Sequence, residues 1–565
     1  MQRSTRSQWR GSFPVFIVTL QWSGKTFYLS NKPAVIDKDG EPLQLHGGLV
    51  EDPPFESSLS EVGFNVASIS TPIAAYLNNT DLSLQLSYNN TLENAIAELS
   101  YVLVSDNSIQ SYQDRTVLLK GLIKEPIIAH RDRSNGYFEA SIESEVINTS
   151  LHNSSMGQGA RISPEELSDL VNPTLSPLSA IQDANYILNL LDVHKEKILP
   201  IIFGASGVCF DKDYNEIDYG ATPAYVLSAT SGTTNDMYLC IAPHDVEAVN
   251  VKVYDDLGNW RVEDVEKWIR NDGRVFSFVH FTSSSGSFQN PVDDENAKYF
   301  ISWYDGGGLI SPSDNKAITG AGDVCLWCLE QANQQIDYQS WEGLRQYLNT
   351  YKIAGYINDT EITPIEFLEN EIIPLLPISV IHGASGMKPV LDLFSSGYKP
   401  NAMYSIVANE EFSASSGIIQ NGDTSSLIND FTLLFCFDMK QQSYQAKQSI
   451  SGKESIYGDK VNLNDLAIKS FNKYGLRSAT KETSYVHDFN TASLICFDTI
   501  RNNSFPKYII DYDIASRYGW LEIGDIFSLT DDNFNLNNEL VQVIKKSWQD
   551  TYWAITIRIS PEGIK

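Results

Sequence analysis

Cys325-Leu326-Trp327-Cys328 sets two thiols at the spacing that grips a metal ion or forms a redox-active disulfide. Either chemistry needs more than one pair. Zinc requires further ligands, and a thioredoxin-like site requires a strand running into the motif; neither accompanies these cysteines. At helical spacing the thiols fall on one apolar stripe with Val324 and Ala332, so the pair is read as core packing.

The other candidate motifs fail on spacing. Gly320-Ala321-Gly322-Asp323 misses the third glycine of a dinucleotide loop and reads as a helix start. The run from Gly383 to Lys388 lacks the spacing and the closing Ser or Thr of a phosphate loop, and neither Ser206 nor Ser385 sits in a Gly-x-Ser-x-Gly elbow. Asp211-Lys212-Asp213-Tyr214-Asn215 opens like a calcium loop, but Glu216 stands where glycine is needed and Thr222 where a bidentate Glu is needed; a turn is expected. The histidines, at 46, 130, 152, 194, 244, 280, 382 and 487, form no close pair, and His382 reads as a structural residue in an apolar hairpin. With 71 Asp and Glu residues, no carboxylate pair stands out as a glycosidase dyad. No catalytic, cofactor-binding or metal-ligating residue is therefore assigned, and no cofactor is expected.

These residues sit in a chain of 565, long enough for several cores. Apolar residues make up 42% and charged ones 20%, a globular composition. The formal charge of -30 argues against a surface that grips phosphate, which needs clustered Lys and Arg. It suits ordinary solubility, and it suits a wall past which DNA slides without sticking. Six scattered cysteines are too few for a disulfide framework and are read as reduced thiols. The run Val15 to Leu20 is too short and too β-branched for a signal-peptide core, and no stretch approaches the ~20 apolar residues of a membrane span. Synthesis in a cytoplasm and use in a soluble assembly are expected.

Periodicity then places the elements. Residues 14–30 read as two strands about a Ser23-Gly24-Lys25 turn, with a further turn at Asp37 to Gly40. Leu92 to Leu103 has helical spacing, and Arg115 to Ile123 reads as a strand. In GYFEASIESEV, Phe138, Ala140, Ile142 and Val146 fall on one face and Glu139, Ser141, Glu143 and Glu145 on the other, the period of a half-buried strand. Ser163-Pro164-Glu165-Glu166 starts a helix in a linker, and another is expected from Ala184 to Lys197. Alternation at Val249, Val251 and Val253 ends in a turn at Asp255 to Asn259, and strands continue at 274–281 and 299–303. Helices are expected at 323–332, 340–351, from the capping box Thr363-Pro364-Ile365-Glu366, and at 487–503. Asp531 to Asn538 reads as a hairpin connection, and Trp553, Ile555, Ile557 and Ile559 mark one face of a final strand. Gly-Ala-Ser-Gly occurs at 204–207 and 383–386, each between apolar runs, and each is read as a hairpin turn.

The order of these features resembles the central hub protein of bacteriophage tail tips and baseplates. FIVTLQWSGKTFYLS, ENAIAELSYVL, RTVLLKGLIKEPI and GYFEASIESEV are similar to its first domain; PIIFGASG, VNVKVYDDLGNW and CLEQANQQIDYQSWEGLRQYL to its middle region; and YVHDFNTASLICFDTIRNN, YIIDYDI, WLEIGDIFSLTD and WAITIRIS to its later β domain. The resemblance covers most of the chain and rests on order, without one diagnostic motif. It implies a mainly β multidomain fold with α insertions, in which tail-tube-like antiparallel β-barrel or sandwich domains accompany smaller helical and β domains. The expected division is an N-terminal tube-like domain at 1–150, a helical linker at 151–198, a β-rich domain with the first Gly-Ala-Ser-Gly turn at 199–320, a helical segment with the second at 321–400, and a C-terminal tube-like domain at 401–565. It further implies a non-enzymatic homotrimer at the virion tail tip or baseplate. Such a trimer adapts a hexameric tail tube to a threefold tip, contacts tail-tube or distal tail proteins and tip or fibre proteins, and passes DNA without binding it specifically. The alternative, suggested by abundant Trp and Tyr and the acidic pI, is a carbohydrate-binding or glycan-hydrolysing β protein.

Overall fold

The computed structural model describes residues 13–59, 70–76, 91–104, 110–129, 136–144, 170–171, 197–210, 215–230, 235–270, 273–283, 288–289, 296–303, 305–311, 316–359, 361–383, 385–393, 402, 404–421, 424–453, 462–549 and 551–559. The chain is mainly β with helical insertions. It opens with β1 (Phe13–Trp22) and β2 (Lys25–Ser30), closed by Ser23 and Gly24, both in the left-handed region at φ 51° and 74°. The hairpin β3 (Pro33–Lys38) and β4 (Glu41–His46) comes next, then β5 (Glu56–Ser58), β6 (Ser70–Tyr76), β7 (Ile96–Val104), β8 (Thr116–Ala129) and β9 (Tyr137–Glu143). Six of these form one antiparallel sheet in the order β2-β1-β7-β8-β9-β6.

β1 is covered on both faces. Phe16, Val18 and Leu20 point into the largest β core, while Val15 and Ile17 pack under the β3–β4 hairpin with Ile36, Leu45 and Tyr112. That double burial is why its sequence is nearly continuous in apolar residues. β7 corrects the expected helix at 92–103 for the same reason. It lies between β1 and β8, and Leu99 and Tyr101 on one parity and Ser100 and Val102 on the other are all buried, which erases the alternation that marks a strand. β9 keeps its alternation: Phe138, Ala140 and Ile142 are buried and Glu139 is exposed.

The closing strands Ile526–Asp531, Leu536–Gln549, Tyr552–Ile559 and Lys507–Ile514 form an eight-stranded sheet with three short strands between Ser405 and Asn421 and with β5. β5 belongs to the first 150 residues, yet it pairs Ser58 with Lys545, Ser57 with Lys546 and Glu56 with Ser547. The flanking backbone extends the ladder, Trp548 N donating to Phe55 O at 2.9 Å and Leu59 N to Ile544 O at 2.8 Å. The two sheets share one core, where Phe16, Phe55 and Tyr101 meet Trp548 and Trp553. The terminal regions, separated into two domains by their distance in sequence, are thus one packed unit.

Residues 424–503 leave that unit. Their four-stranded sheet and the helix Phe489–Asn503 pack with the helices Ala321–Gln331 and Tyr338–Leu348 and the turn Pro364–Phe367 in a second core. The expected capping box is present, with Thr363 Oγ1 accepting from Glu366 N and Glu366 Oε2 from Thr363 N. Strands from Leu170 to Ser302 build another eight-stranded sheet, whose core holds Trp303 on one side and Trp268 on the other. The helix starts read at Ser163 and Ala184 lie outside the described residues, where the linker shows only the strand Leu170–Val171 and residues 197–198.

The two Gly-Ala-Ser-Gly stretches part ways. The second is a hairpin, Ile378–Gly383 against Gly386–Leu391. The first is not: Ile201–Phe203 pairs with Gly355–Ile357, and Val208–Phe210 pairs with Glu216–Asp218. Gly204 and Gly207 do adopt positive φ, 56° and 95°, but they pass the chain between two sheets instead of folding it back.

Candidate functional site

On the outer face of the first sheet, register places Tyr28 on β2, Thr19 on β1, Glu98 on β7 and Lys120 on β8 side by side in one cross-strand row. The next row on that face is Thr26, Gln21, Ile96 and Leu122. Here the outer parity of β1 changes from Val15 and Ile17 to Thr19 and Gln21, where the β3–β4 hairpin no longer covers it. These rows floor a groove of about 510 Å³, walled by Lys38, Tyr112 and Arg115 and by Asn333, Gln334 and Gln335 from the helical block.

Arg115 is held from several sides. Its Nε donates to Glu98 Oε1 at 2.6 Å, its Nη2 to Oε2 at 3.3 Å and its Nη1 to Tyr112 O at 3.2 Å, and the guanidinium lies 4.2 Å from the Tyr112 ring centre. Lys120 Nζ is 3.5 Å from the second Glu98 oxygen. Lys38 donates to the Tyr28 hydroxyl, a bond that raises its pKa, while Tyr112 shares a 2.9 Å hydrogen bond with Thr19. Burial raises the Tyr112 phenol, so it stays protonated.

His382, on the second hairpin, lines the groove and also a cavity of about 40 Å³ at the seam of the terminal sheets. It is buried, its Nδ1 has no hydrogen-bond partner, and burial holds its pKa below the ordinary value. The small cavity is lined by Lys388, Glu522 and Lys546, and its size and polarity suit a water molecule. Lys388 Nζ pairs with Glu522 Oε2 at 2.6 Å; burial opposes its charge, but Glu522 and Asp525 together outweigh that and raise its pKa. Lys546 donates to Gly519 O at 2.6 Å and lies 4.3 Å from the Trp553 ring centre. Burial draws Lys546 down to about 8, with Glu522 and Asp525 opposing.

The residues singled out in the sequence are dispersed. Cys325 and Cys328 are completely buried on the helix Ala321–Gln331, where burial raises both thiols, and Trp327 between them meets Phe203 edge to face. Gly320 is the cap residue of that helix, as expected. Residues 211–214 lie outside the described residues, and Thr222 is buried, its hydroxyl 3.1 Å from that of Ser206. His244 and His487 are buried far from each other in sequence, each lowered by burial to about 4. His280 stacks on Tyr238, with ring centres 4.0 Å apart. His130, His152 and His194 lie outside the described residues, among which no three His, Cys, Asp or Glu side chains gather as a metal site. The abundant tryptophans are largely core: Trp268, Trp303, Trp341 and Trp553 are buried, with Trp260 an exposed exception. The charged groove escapes the sequence reading because helical spacing at 92–103 removes Glu98 from the row. The signal was the polar pair Thr19 and Gln21 on one parity of an otherwise apolar strand.

The sequence matches no protein-family model and no curated protein. Among solved structures, the chain is similar to the 43 kDa tail protein of prophage MuSo2 from Shewanella oneidensis, at 8% identity over 97% of this chain and 99% of that one, with a TM-score of 0.31. It is also similar to a chain of the virion of a native gene transfer agent particle, at 10% identity, 66% and 86% coverage and a TM-score of 0.40. A third is the prophage tail protein gp18 from Listeria monocytogenes EGD-e, at 9% identity, 64% and 95% coverage and a TM-score of 0.23.

Proposed function

We propose that this chain is a structural virion protein of a bacteriophage tail, the homotrimeric hub of a tail tip or baseplate, and that it works without catalysis. In this reading three copies adapt a hexameric tail tube to a threefold tip and line part of the DNA ejection channel, after assembly in the host cytoplasm. Its neighbours are tail-tube or distal tail proteins on one side and tip or fibre proteins on the other.

One observation carries the reading. The two regions that resemble hub β domains lie directly against each other, tied by β5 and by a common aromatic core. One chain therefore presents two β sheets as a single unit, and three such units supply six positions around a ring. The charge of -30 fits the channel role, since an acidic lumen repels phosphate. Glu139 on the wet face of β9 is a candidate for that wall.

Light scattering and negative-stain imaging of the purified chain test this. A mass of three chains and threefold rings are expected, alone or with tube subunits. A monomer that hydrolyses cell-wall or capsule glycan would defeat the hub reading, and a ring with a basic lumen would remove the channel-wall role of β9.

A further inference from the structure

We propose that the groove floored by Tyr28, Thr19, Glu98 and Lys120 is an anion-binding site for a small ligand bearing carboxylate or phosphate oxygens. The proposal is independent of the tail-hub reading. Three cations, Lys38, Arg115 and Lys120, line the groove around one carboxylate, Glu98. Among the described residues no carboxylate lies within ion-pair distance of Lys38, whose ammonium is bound to the Tyr28 hydroxyl. Asp39 is next to it in the chain and receives the Gln113 amide at 3.1 Å, and Glu41 is its cross-strand partner at the hairpin turn, so the excess of cations is confined to the groove lining itself, where Lys38, Arg115 and Lys120 face Glu98. A positive patch on a chain of net charge -30 is a local reversal of sign, and it draws an anion into one place on an otherwise repelling surface.

The donors are set in advance. Arg115 is fixed by Glu98, by Tyr112 O and by stacking on the Tyr112 ring, so little side-chain freedom is lost when a ligand arrives. Among the described residues Lys120 has only Glu98 as a charged partner, and it keeps donors to spare. Asn333 and Gln335 add neutral amides on the opposite wall. The unpartnered Nδ1 of buried His382 offers one further polar atom, which a ligand hydroxyl would satisfy.

The alternatives fit less well. A sugar site wants an open aromatic platform, but Tyr112 is buried beneath Arg115, and the Lys38 ammonium lies 4.8 Å from the Tyr28 ring centre. A nucleic acid needs an extended basic track, whereas about 510 Å³ holds one small molecule.

Isothermal titration of the full chain with citrate and, separately, with inorganic phosphate, at a matched ionic strength of about 0.15 M, tests the site. Saturable binding of at least one probe is expected, and which one binds separates a carboxylate ligand from a phosphate ligand. Lys38→Gln and Lys120→Gln should each weaken it by roughly tenfold, while Lys267→Gln, at a remote surface ion pair, should leave it unchanged. Thermal melts of the variants confirm that they fold. No saturable heat with either probe, or binding that survives both groove substitutions, overturns the proposal.

Discussion

Phe16 and Trp548, from opposite ends of the chain, meet edge to face with ring centres 5.1 Å apart. Trp553 completes the group, 5.0 Å from Trp548 and 5.7 Å from Tyr101, so the two terminal sheets are welded by aromatic rings drawn from both.

Trp553→Ala should therefore loosen both sheets at once. Removing a completely buried indole costs about 3–5 kcal/mol. In hydrogen exchange, protection is expected to fall in β1 and β7 as well as in the strands Leu536–Gln549 and Tyr552–Ile559. A loss confined to the closing strands would show that the sheets do not depend on a common core.

Gly519 lies beneath this group. A Cβ there would stand 2.4 Å from both Trp553 Nε1 and Tyr101 Oη, closer than packed atoms approach. Gly519→Ala should cost about 1–3 kcal/mol by overpacking and lower the melting temperature, whereas Gly417→Ala, with open space around it, should not.

Two pH effects arise from burial. His244 and His487 are depressed to about 4, so the unfolded chain binds protons that the folded chain refuses between pH 6.5 and 4. Stability is kept above pH 6.5 and lost as the pH falls through that window, which acid titration followed by tryptophan fluorescence would register. Lys546 acts at the other end. Depressed to about 8, it weakens the fold below that pH, and the penalty fades as the pH rises toward 10.5. Lys546→Met should flatten the rise in stability across that range, measured by denaturant unfolding at several pH values.

Cys325 and Cys328 should be inert in the native state, because burial both hides the thiols and disfavours the thiolate. Ellman's reagent should modify them only after denaturant is added. Rapid native labelling of either would mean that the helix Ala321–Gln331 opens readily.

Strands with one wet face were legible in the sequence. β9 declares itself because Glu139 and Ser141 interrupt Phe138, Ala140 and Ile142, and the closing strand does so through Trp553, Ile555 and Ile557. On the other parity of that strand Arg558 is buried as well, donating to Gln542 Oε1 at 2.6 Å and lying 3.4 Å from Asp392, which its charge alone does not announce. Strands covered on both sides, such as β7, hide their period. Turn chemistry was legible at Ser23-Gly24, but partner choice was not. Glycines at 204 and 207 announce positive φ without saying whether the chain doubles back, and nothing local to Ser57 reveals that its ladder partner is Lys546. The groove shares that difficulty, since Tyr28, Thr19, Glu98 and Lys120 become neighbours only through register.

The placement of β5 also sets a timetable. A nascent chain emerging from the ribosome folds its first sheet with one aromatic flank bare and with β5 waiting for a partner strand that lies far downstream in the sequence. Chains cut short before the strand Leu536–Gln549 would carry that exposed surface permanently and invite aggregation or degradation. Synthesis of that downstream strand thereby acts as a checkpoint on which copies can close the shared aromatic core.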